Sequence, residues 1–157
     1  MNMKNIVVGR LNDHIDELDS FIDGLAPAQL RARPDTDQKS IWEIALHIVD
    51  LQDISIGWLA RMLVEDLPGL EDGPNENGPD NRYFDQDLFA RLKEFREHRK
   101  NLISLLNALT DSQWKKEGIH PRIKHFTVEK CVEGLMRHEE HHLYHIYNLF
   151  FGMHIAQ

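Results

Sequence analysis

Apolar side chains recur three or four positions apart along four separate stretches of this chain. That spacing places them on one face of an α-helix, and glycine- and proline-containing segments between the stretches would end each helix. Four such helices can bury their apolar faces against one another, so the sequence predicts an all-α four-helix bundle. The predicted helices run from about 3 to 24, from about 41 to 66, from a cap at Asp87 or Asp85 to about 109, and from about 127 to 152, and no stretch is a convincing strand.

The second predicted helix has the clearest start. Ser40 and Glu43 form the S-x-x-E pattern of a capping box, in which each side chain accepts a hydrogen bond from the other residue's backbone N–H. Few polar residues interrupt the apolar run that follows. We therefore expect this helix to be the most buried of the four.

Chain length, net charge and cysteine content indicate the number of domains, the kinds of partner and the compartment. The chain has 157 residues, enough for one domain with a full core, and we assign residues 1–157 to a single domain. Its formal net charge of −8 disfavours binding to a nucleic-acid backbone. The single cysteine, Cys131, excludes an internal disulfide and fits a reducing compartment. With no run like that of a signal peptide or a membrane span, we expect a cytoplasmic protein without membrane or nucleic-acid partners.

A histidine cluster lies in the fourth predicted helix. Residues four apart share one face of a helix, so His138 and His142 would project side by side, as two imidazoles must to bind one metal ion. His145 follows on the same face and is open to three interpretations: a fourth ligand, a proton carrier or a packed residue. His141 points away and is expected at the surface.

The second predicted helix offers a third ligand, His47. It is the polar residue on the buried face, and a buried polar group without a partner costs about 1–3 kcal/mol. His47 must therefore either find a hydrogen-bond partner or bind something. Asp50, one turn further, is a candidate for that partner or for a carboxylate that orients a metal-binding imidazole.

Distances along the helices favour a particular topology. His47 lies about 9 Å from the start of its helix, and His138 and His142 lie about 12 to 18 Å from the end of theirs. The three histidines therefore reach similar levels when the two helices run antiparallel, in up-down-down-up order. That order needs a long crossover, and the segment from Leu67 to Tyr83 can reach about 55 Å, further than a helix of about 39 Å.

Two other metal-site patterns fit less well. The residues from His138 to His142 match H-E-x-x-H, the zincin protease pattern, but no acid follows His142, and the chain has His145 and Asn148 where the extended pattern needs Gly and His. A di-iron carboxylate bundle needs E-x-x-H on two helices, and only Glu139 and His142 supply it. We therefore favour neither site.

The chain resembles the DinB/YfiT-like family of metal-dependent four-helix proteins over nearly its whole length. The family pattern is a histidine in the second helix with H-x-x-x-H in the fourth, which looks like His47, His138 and His142. The resemblance is carried by Leu25-Ala26-Pro27-Ala28-Gln29-Leu30 ahead of Arg33-Pro34, by Ser40-Ile41-Trp42-Glu43-Ile44-Ala45-Leu46-His47-Ile48-Val49-Asp50, and by His138-Glu139-Glu140-His141-His142-Leu143-Tyr144-His145-Ile146.

The resemblance implies an up-down-down-up bundle that binds a divalent metal through this histidine triad, often as a homodimer. Several relatives are transferases or isomerases that use low-molecular-weight thiols such as bacillithiol or mycothiol. This chain departs from the family at His145, where Gln is common, and at Leu143-Tyr144, where Arg-Gly is common. These positions border the site.

The resemblance implies a metal-dependent thiol transferase or a related enzyme that acts on small molecules. Zn²⁺ and Ni²⁺ both suit imidazole ligands. The alternatives are a metal-dependent hydrolase, using metal-bound hydroxide, and a non-catalytic, stress-associated metal-binding dimer.

No residue is assigned as catalytic. We interpret Cys131 as a small buried apolar residue, not a nucleophile. Glu139 lies about 100° around the helix from the ligands, which argues against a general base. His98 and Arg99 are interpreted as packing residues.

Overall fold

The computed structural model describes residues 2–155, with side chains up to residue 153. Four long helices form an all-α bundle and confirm the predicted fold class, with α6 continuing past Gly152. Two short helices and a two-stranded sheet lie in the connections. In chain order the elements are α1 (Met3–Asp23), α2 (Pro27–Arg31), α3 (Ile41–Val64), a 3-10 turn (Asn81–Asp85), α4 (Leu88–Ala108), α5 (Asp111–Trp114), β1 (Glu117–Gly118), β2 (Phe126–Thr127) and α6 (Val128–Ile155).

Side chains cap the N-termini of α3 and α4. The Ser40 hydroxyl accepts a hydrogen bond from the Glu43 backbone N–H at 3.2 Å, and Glu43 Oε1 accepts one from the Ser40 N–H at 3.0 Å, so the predicted capping box is present at α3. Asp87 caps α4 and accepts from the two N–H groups of Phe89 and Ala90. These caps satisfy backbone donors that the first helical turn leaves free.

Contacts between α3 and α6 show that the two helices run antiparallel. His47 meets His142, and eight residues further along α3 the backbone oxygen of Ser55 contacts Cys131, which comes earlier in α6. By contrast, α3 with α4 and α1 with α6 run parallel, because their contacts advance together along both helices. The contacts are Asp50–Arg91, Asp53–His98, Arg10–Glu140 and Phe21–Tyr147.

These directions give the predicted up-down-down-up order, in which residues 65–87 connect α3 to α4. The connection contains an extended segment, residues 65–80, which we call the crossover segment, followed by the 3-10 turn. The helix α3 is buried along most of its length, including fourteen residues from Ile41 to Met62. Among residues 2–155, no helix is long and apolar enough to cross a membrane.

The small sheet was not predicted from the sequence. Glu117 pairs with Thr127 and Gly118 with Phe126 in an antiparallel ladder. The Leu70 N–H donates to the Ile119 oxygen at 2.8 Å, which ties the crossover segment to this sheet. A Cβ at Gly118 would lie 2.8 Å from Leu70 Cδ1, so this close approach requires glycine. Two-residue strands are too short for an alternating sequence pattern to reveal them.

Candidate metal centre

His47 and His142 face each other across the interface of α3 and α6. Their ring centroids lie 4.7 Å apart and the rings are nearly perpendicular, at 83°. His47 is fully buried and His142 is 7% exposed. The antiparallel packing of the two helices therefore brings together two histidines that are 95 positions apart in the chain.

A carboxylate from the crossover segment completes this cluster. Glu76 Oε2 lies 3.0 Å from His47 Nε2 and 3.4 Å from His142 Nε2. One potential ligand atom from each of the three residues lies within 4.8 Å of the others. Sequence reasoning missed Glu76, because its acidic neighbourhood is typical of a solvated loop and carries no ligand spacing.

The charge states of this cluster suit a divalent cation. Burial lowers the pKa of His47, and burial with the nearby His47 lowers that of His142 to about 4, so both rings are neutral at pH 7. Burial opposes the ionisation of Glu76, but the adjacent His47 and His142 outweigh it and lower the carboxyl pKa. Two neutral imidazoles and one carboxylate are the protonation states that metal binding requires.

The unpartnered nitrogens of His47 test directly whether the cluster fits a bound cation. Both ring nitrogens are buried, and neither has a hydrogen-bond partner among the described residues. The close contact of Nε2 with Glu76 is not aligned as a hydrogen bond. Since buried nitrogen atoms without partners are costly, the cluster fits a cation that accepts a lone pair from His47.

His138 lies beside this cluster but outside it. Its side chain is exposed and lines the same cavity as Glu76, and its position contributes to the lowered pKa of that carboxyl. The ligand set of His47, His138 and His142 therefore stays a prediction. His145 is half-buried, and burial lowers its pKa, whereas His141 is exposed as expected.

Asp50 does not partner His47. It accepts hydrogen bonds from the Tyr83 hydroxyl at 2.6 Å and from Arg91 at 3.2 Å. Burial and the bond to Asp50 raise the pKa of Tyr83. Asp50 therefore fastens the 3-10 turn and α4 to α3, one turn away from the metal-ligand candidates.

Glu139 also lies on α6, in the centre of the bundle. It is fully buried and pairs with the fully buried Arg99 through both guanidinium Nη atoms. His14 Nδ1 contacts the same carboxylate at 2.9 Å. Glu139 thus pairs with Arg99 and His14 and is not part of the candidate metal cluster, and the expectation that it is not a general base stays a prediction.

A cavity of about 490 Å³ opens beside the cluster and shares Glu76 with it, and His138 also lines this cavity. Trp58, His120 and Phe126 form an aromatic wall with ring centroids 4.7–5.7 Å apart. Arg122 and Lys130 are basic groups in the lining, and Cys131 is a further lining residue.

Cys131 is buried, and burial raises the pKa of its thiol to about 12. The thiol is therefore protonated at neutral pH, and a protonated thiol is a poor nucleophile.

Comparison with known proteins agrees with this geometry. The sequence profile of the DinB superfamily matches residues 10–146, which include His47, Glu76 and His142. The chain belongs to the DinB superfamily. No curated protein matches the chain.

Among solved structures, the fold is similar to YfiT from Bacillus subtilis, with a TM-score of 0.80. The two proteins share 22% sequence identity, and the similarity covers 96% of this chain and 87% of YfiT. YfiT is described as a probable metal-dependent hydrolase with an unusual four-helix bundle topology. At 22% identity, this comparison shows that the chain and YfiT share a fold.

Proposed function

We propose that this protein is a divalent-metal-dependent enzyme that acts on a small molecule in the cavity beside His47 and His142. The observation that carries the proposal is the pair of unpartnered, fully buried ring nitrogens on His47, next to His142 and a carboxylate. A buried histidine that served only to pack the core would be expected to use at least one ring nitrogen. A cation bound to one of these ring nitrogens gives that nitrogen a partner.

The ligand set that we propose is His47, His138 and His142, with zinc or nickel as the cation. His138 lies on α6 one turn from His142 and lines the same cavity as Glu76, and we propose that its side chain turns toward the pair when a cation binds. A bound divalent cation would act as a Lewis acid and stabilise a deprotonated nucleophile. The chain's own groups would bind and orient the reactants: the aromatic wall would contact apolar parts, and Arg122 and Lys130 would attract anionic groups.

Thiol transfer is the reaction that we place first. Cys131 cannot supply the nucleophile, because its thiol is buried and protonated, so a second molecule must bring it. A low-molecular-weight thiol would bind with its sulfur toward the histidines and an electrophile beside it. The cavity, at about 490 Å³, lies in the usual range of small-molecule sites.

Hydrolysis is the second candidate and is favoured by the description of YfiT as a probable metal-dependent hydrolase. A non-catalytic metal-binding role is the third. Homodimer formation and a cytoplasmic location are further proposals that come from the family resemblance. Sedimentation of the purified protein would test the first of these, and fractionation of the source cells would test the second.

Metal content tests the proposal most directly. Natively purified protein should contain about one zinc or nickel ion per chain by elemental analysis, and His47→Ala should lose it. His141→Ala is the matched control, because His141 is an exposed histidine on α6 beside His142. Metal-free native protein that also fails to bind added Zn²⁺ or Ni²⁺ would refute the proposal.

A cobalt-substituted sample separates the two reactions. Adding cysteine should produce a near-ultraviolet thiolate-to-cobalt absorption band if the site takes a thiol, and this band should be absent in His142→Ala. Conjugation of the thiol to an electrophile, lost in the same variant, would then establish transfer. If no thiol band forms but ester or amide substrates are cleaved, hydrolysis is the reaction.

A further inference from the structure

The crossover segment forms one wall of the cavity. The segment supplies Glu76, which is the only carboxylate of the potential metal cluster found among residues 2–155. Gly73 also approaches Trp58 on the aromatic wall, where a Cβ would make an ordinary contact at 3.8 Å. The cavity-lining residues of the segment are Asp72, Gly73, Pro74, Asn75, Glu76 and Asn77.

Backbone hydrogen bonds hold the crossover segment at its two ends. At the first end, Leu70 donates to Ile119 at 2.8 Å, and Ile119 donates to Pro68 at 2.7 Å. At the second end, the Asp80 N–H donates to Glu43 Oε2 at 2.7 Å. Both anchors join the segment to rigid parts of the bundle, the sheet and the start of α3.

Between these anchors the backbone is not bonded to the bundle. Across residues 71–79, which the structure describes throughout, no backbone–backbone hydrogen bond is present. Gly73 and Asn77 donate to Asp72 and Asn75, which are bonds within the segment itself. Gly78 has a φ of +66°, a conformation that glycine adopts without strain, and it turns the chain back after Glu76.

Two side-chain contacts join the middle of the segment to the bundle. Asp72 pairs with Arg122 at 2.7 Å, but both side chains are about half or more exposed, so this pair contributes little. The second contact is that of Glu76 with His47 and His142. The contact with His47 is not aligned as a hydrogen bond, and a cation between the three side chains would bind Glu76 directly.

From this arrangement we propose that Glu76 is a metal ligand carried by a lid. The inference rests on the proposed metal site of His47 and His142. A cation bound to both histidines and to Glu76 fastens residues 71–79 over the cavity, and without a cation only the two end anchors hold them. Glu76 would also take up a coordination position, so an anionic group of a reactant, such as a thiolate or carboxylate, would compete with Glu76 for the cation.

Hydrogen exchange measured by mass spectrometry tests the lid. We expect Zn²⁺ to slow amide exchange in peptides covering residues 71–79 by about tenfold or more, equivalent to about 1.4 kcal/mol of added protection. Glu76→Gln keeps the size of the side chain but removes its charge, and it should abolish this slowing at saturating Zn²⁺. Glu71→Gln is the matched control, because it removes the same charge from an exposed residue of the same segment outside the cluster.

Titration of metal-free protein with Zn²⁺ provides the second readout. Removal of outer-shell partners of a metal site costs about 10- to 100-fold in affinity, so loss of a direct ligand in Glu76→Gln should weaken binding at least as much. Glu71→Gln should bind Zn²⁺ with the affinity of the unmodified chain.

The outcomes separate this inference from the proposed function. If the unmodified chain binds no metal, the proposed function fails. If it binds metal and His47→Ala does not, while Glu76→Gln keeps full affinity or the Zn²⁺-dependent slowing, then the metal site stands and the lid inference is wrong. The lid is supported if Glu76→Gln loses both the Zn²⁺ affinity and the slowing of exchange while Glu71→Gln keeps both.

Discussion

Replacing Glu139 with alanine should cost about 3–5 kcal/mol of unfolding free energy, because it leaves the Arg99 guanidinium buried without a counter-charge. Both side chains are fully buried at the centre of the bundle. Arg99 also donates to the Gln52 side chain at 2.5 Å and to the Leu11 backbone oxygen at 2.7 Å. These bonds link α1, α3, α4 and α6, so the guanidinium cannot reach solvent without separating the helices.

The neighbouring residue Glu140 gives a matched comparison. It also pairs with an arginine, Arg10, but its side chain is 33% exposed and that of Arg10 is 56% exposed. Water can replace such a contact, so Glu140→Ala should cost at most about 1 kcal/mol. The two variants remove the same chemical group from adjacent positions of one helix, and burial is the main difference.

Urea unfolding of the chelated, metal-free protein, followed by circular dichroism, measures both costs without a contribution from metal. With a slope of about 2 kcal/mol per molar urea, Glu139→Ala should lower the midpoint by about 1.5–2.5 M and Glu140→Ala by no more than about 0.5 M. The double substitution Arg99→Met with Glu139→Leu should recover most of the loss, because it removes both charges together. Equal midpoints for the two alanine variants would refute the argument.

Three further predictions follow from buried side chains. Metal-free protein should lose stability as pH falls from 6.5 to about 4, because the unfolded chain protonates His142 before the folded chain does. The loss of unfolding free energy that comes from His142 is about 3 kcal/mol. Urea titrations at several pH values across this range should show that the unfolding free energy of His142→Asn depends less on pH. Native protein at pH 8 should leave Cys131 unmodified by iodoacetamide, with modification appearing only in urea, as mass spectrometry would show. Glu43→Ala should lower the melting temperature by about 4–8 °C in calorimetry, because Ser40, Arg33 and Asp80 lose a buried acceptor worth about 2 kcal/mol.

The four long helices could be predicted from sequence because their signals are local. Apolar spacing, the capping pair Ser40 and Glu43, and the cap at Asp87 all act within a few residues of the element that they define. The relative direction of α3 and α6 followed from the axial levels of His47 and His142, which is a simple consequence of helix rise. The sheet at Glu117–Gly118 and Phe126–Thr127 escaped because two-residue strands carry no period.

The candidate site was predictable only where its residues lie on regular helices. His47 and His142 stand on buried helical faces, and the structure brings them together. Glu76 reaches the same point from an irregular segment, where no repeat relates a position in the chain to a position in space. His138 shares its helical face with His142, but it is exposed and lines the cavity.

The amino-acid sequence by itself determined the helices, their amphipathic faces, the likeness to the DinB superfamily and the two histidines that meet. The tertiary structure decided the partners of the charged residues: Glu76 with the histidines, and Glu139 with Arg99 rather than with the site. The physical reason is the distance along the chain between the residues that interact. Helix formation depends on neighbours a few positions apart, whereas a buried charge is satisfied by whichever distant element the packed core brings against it.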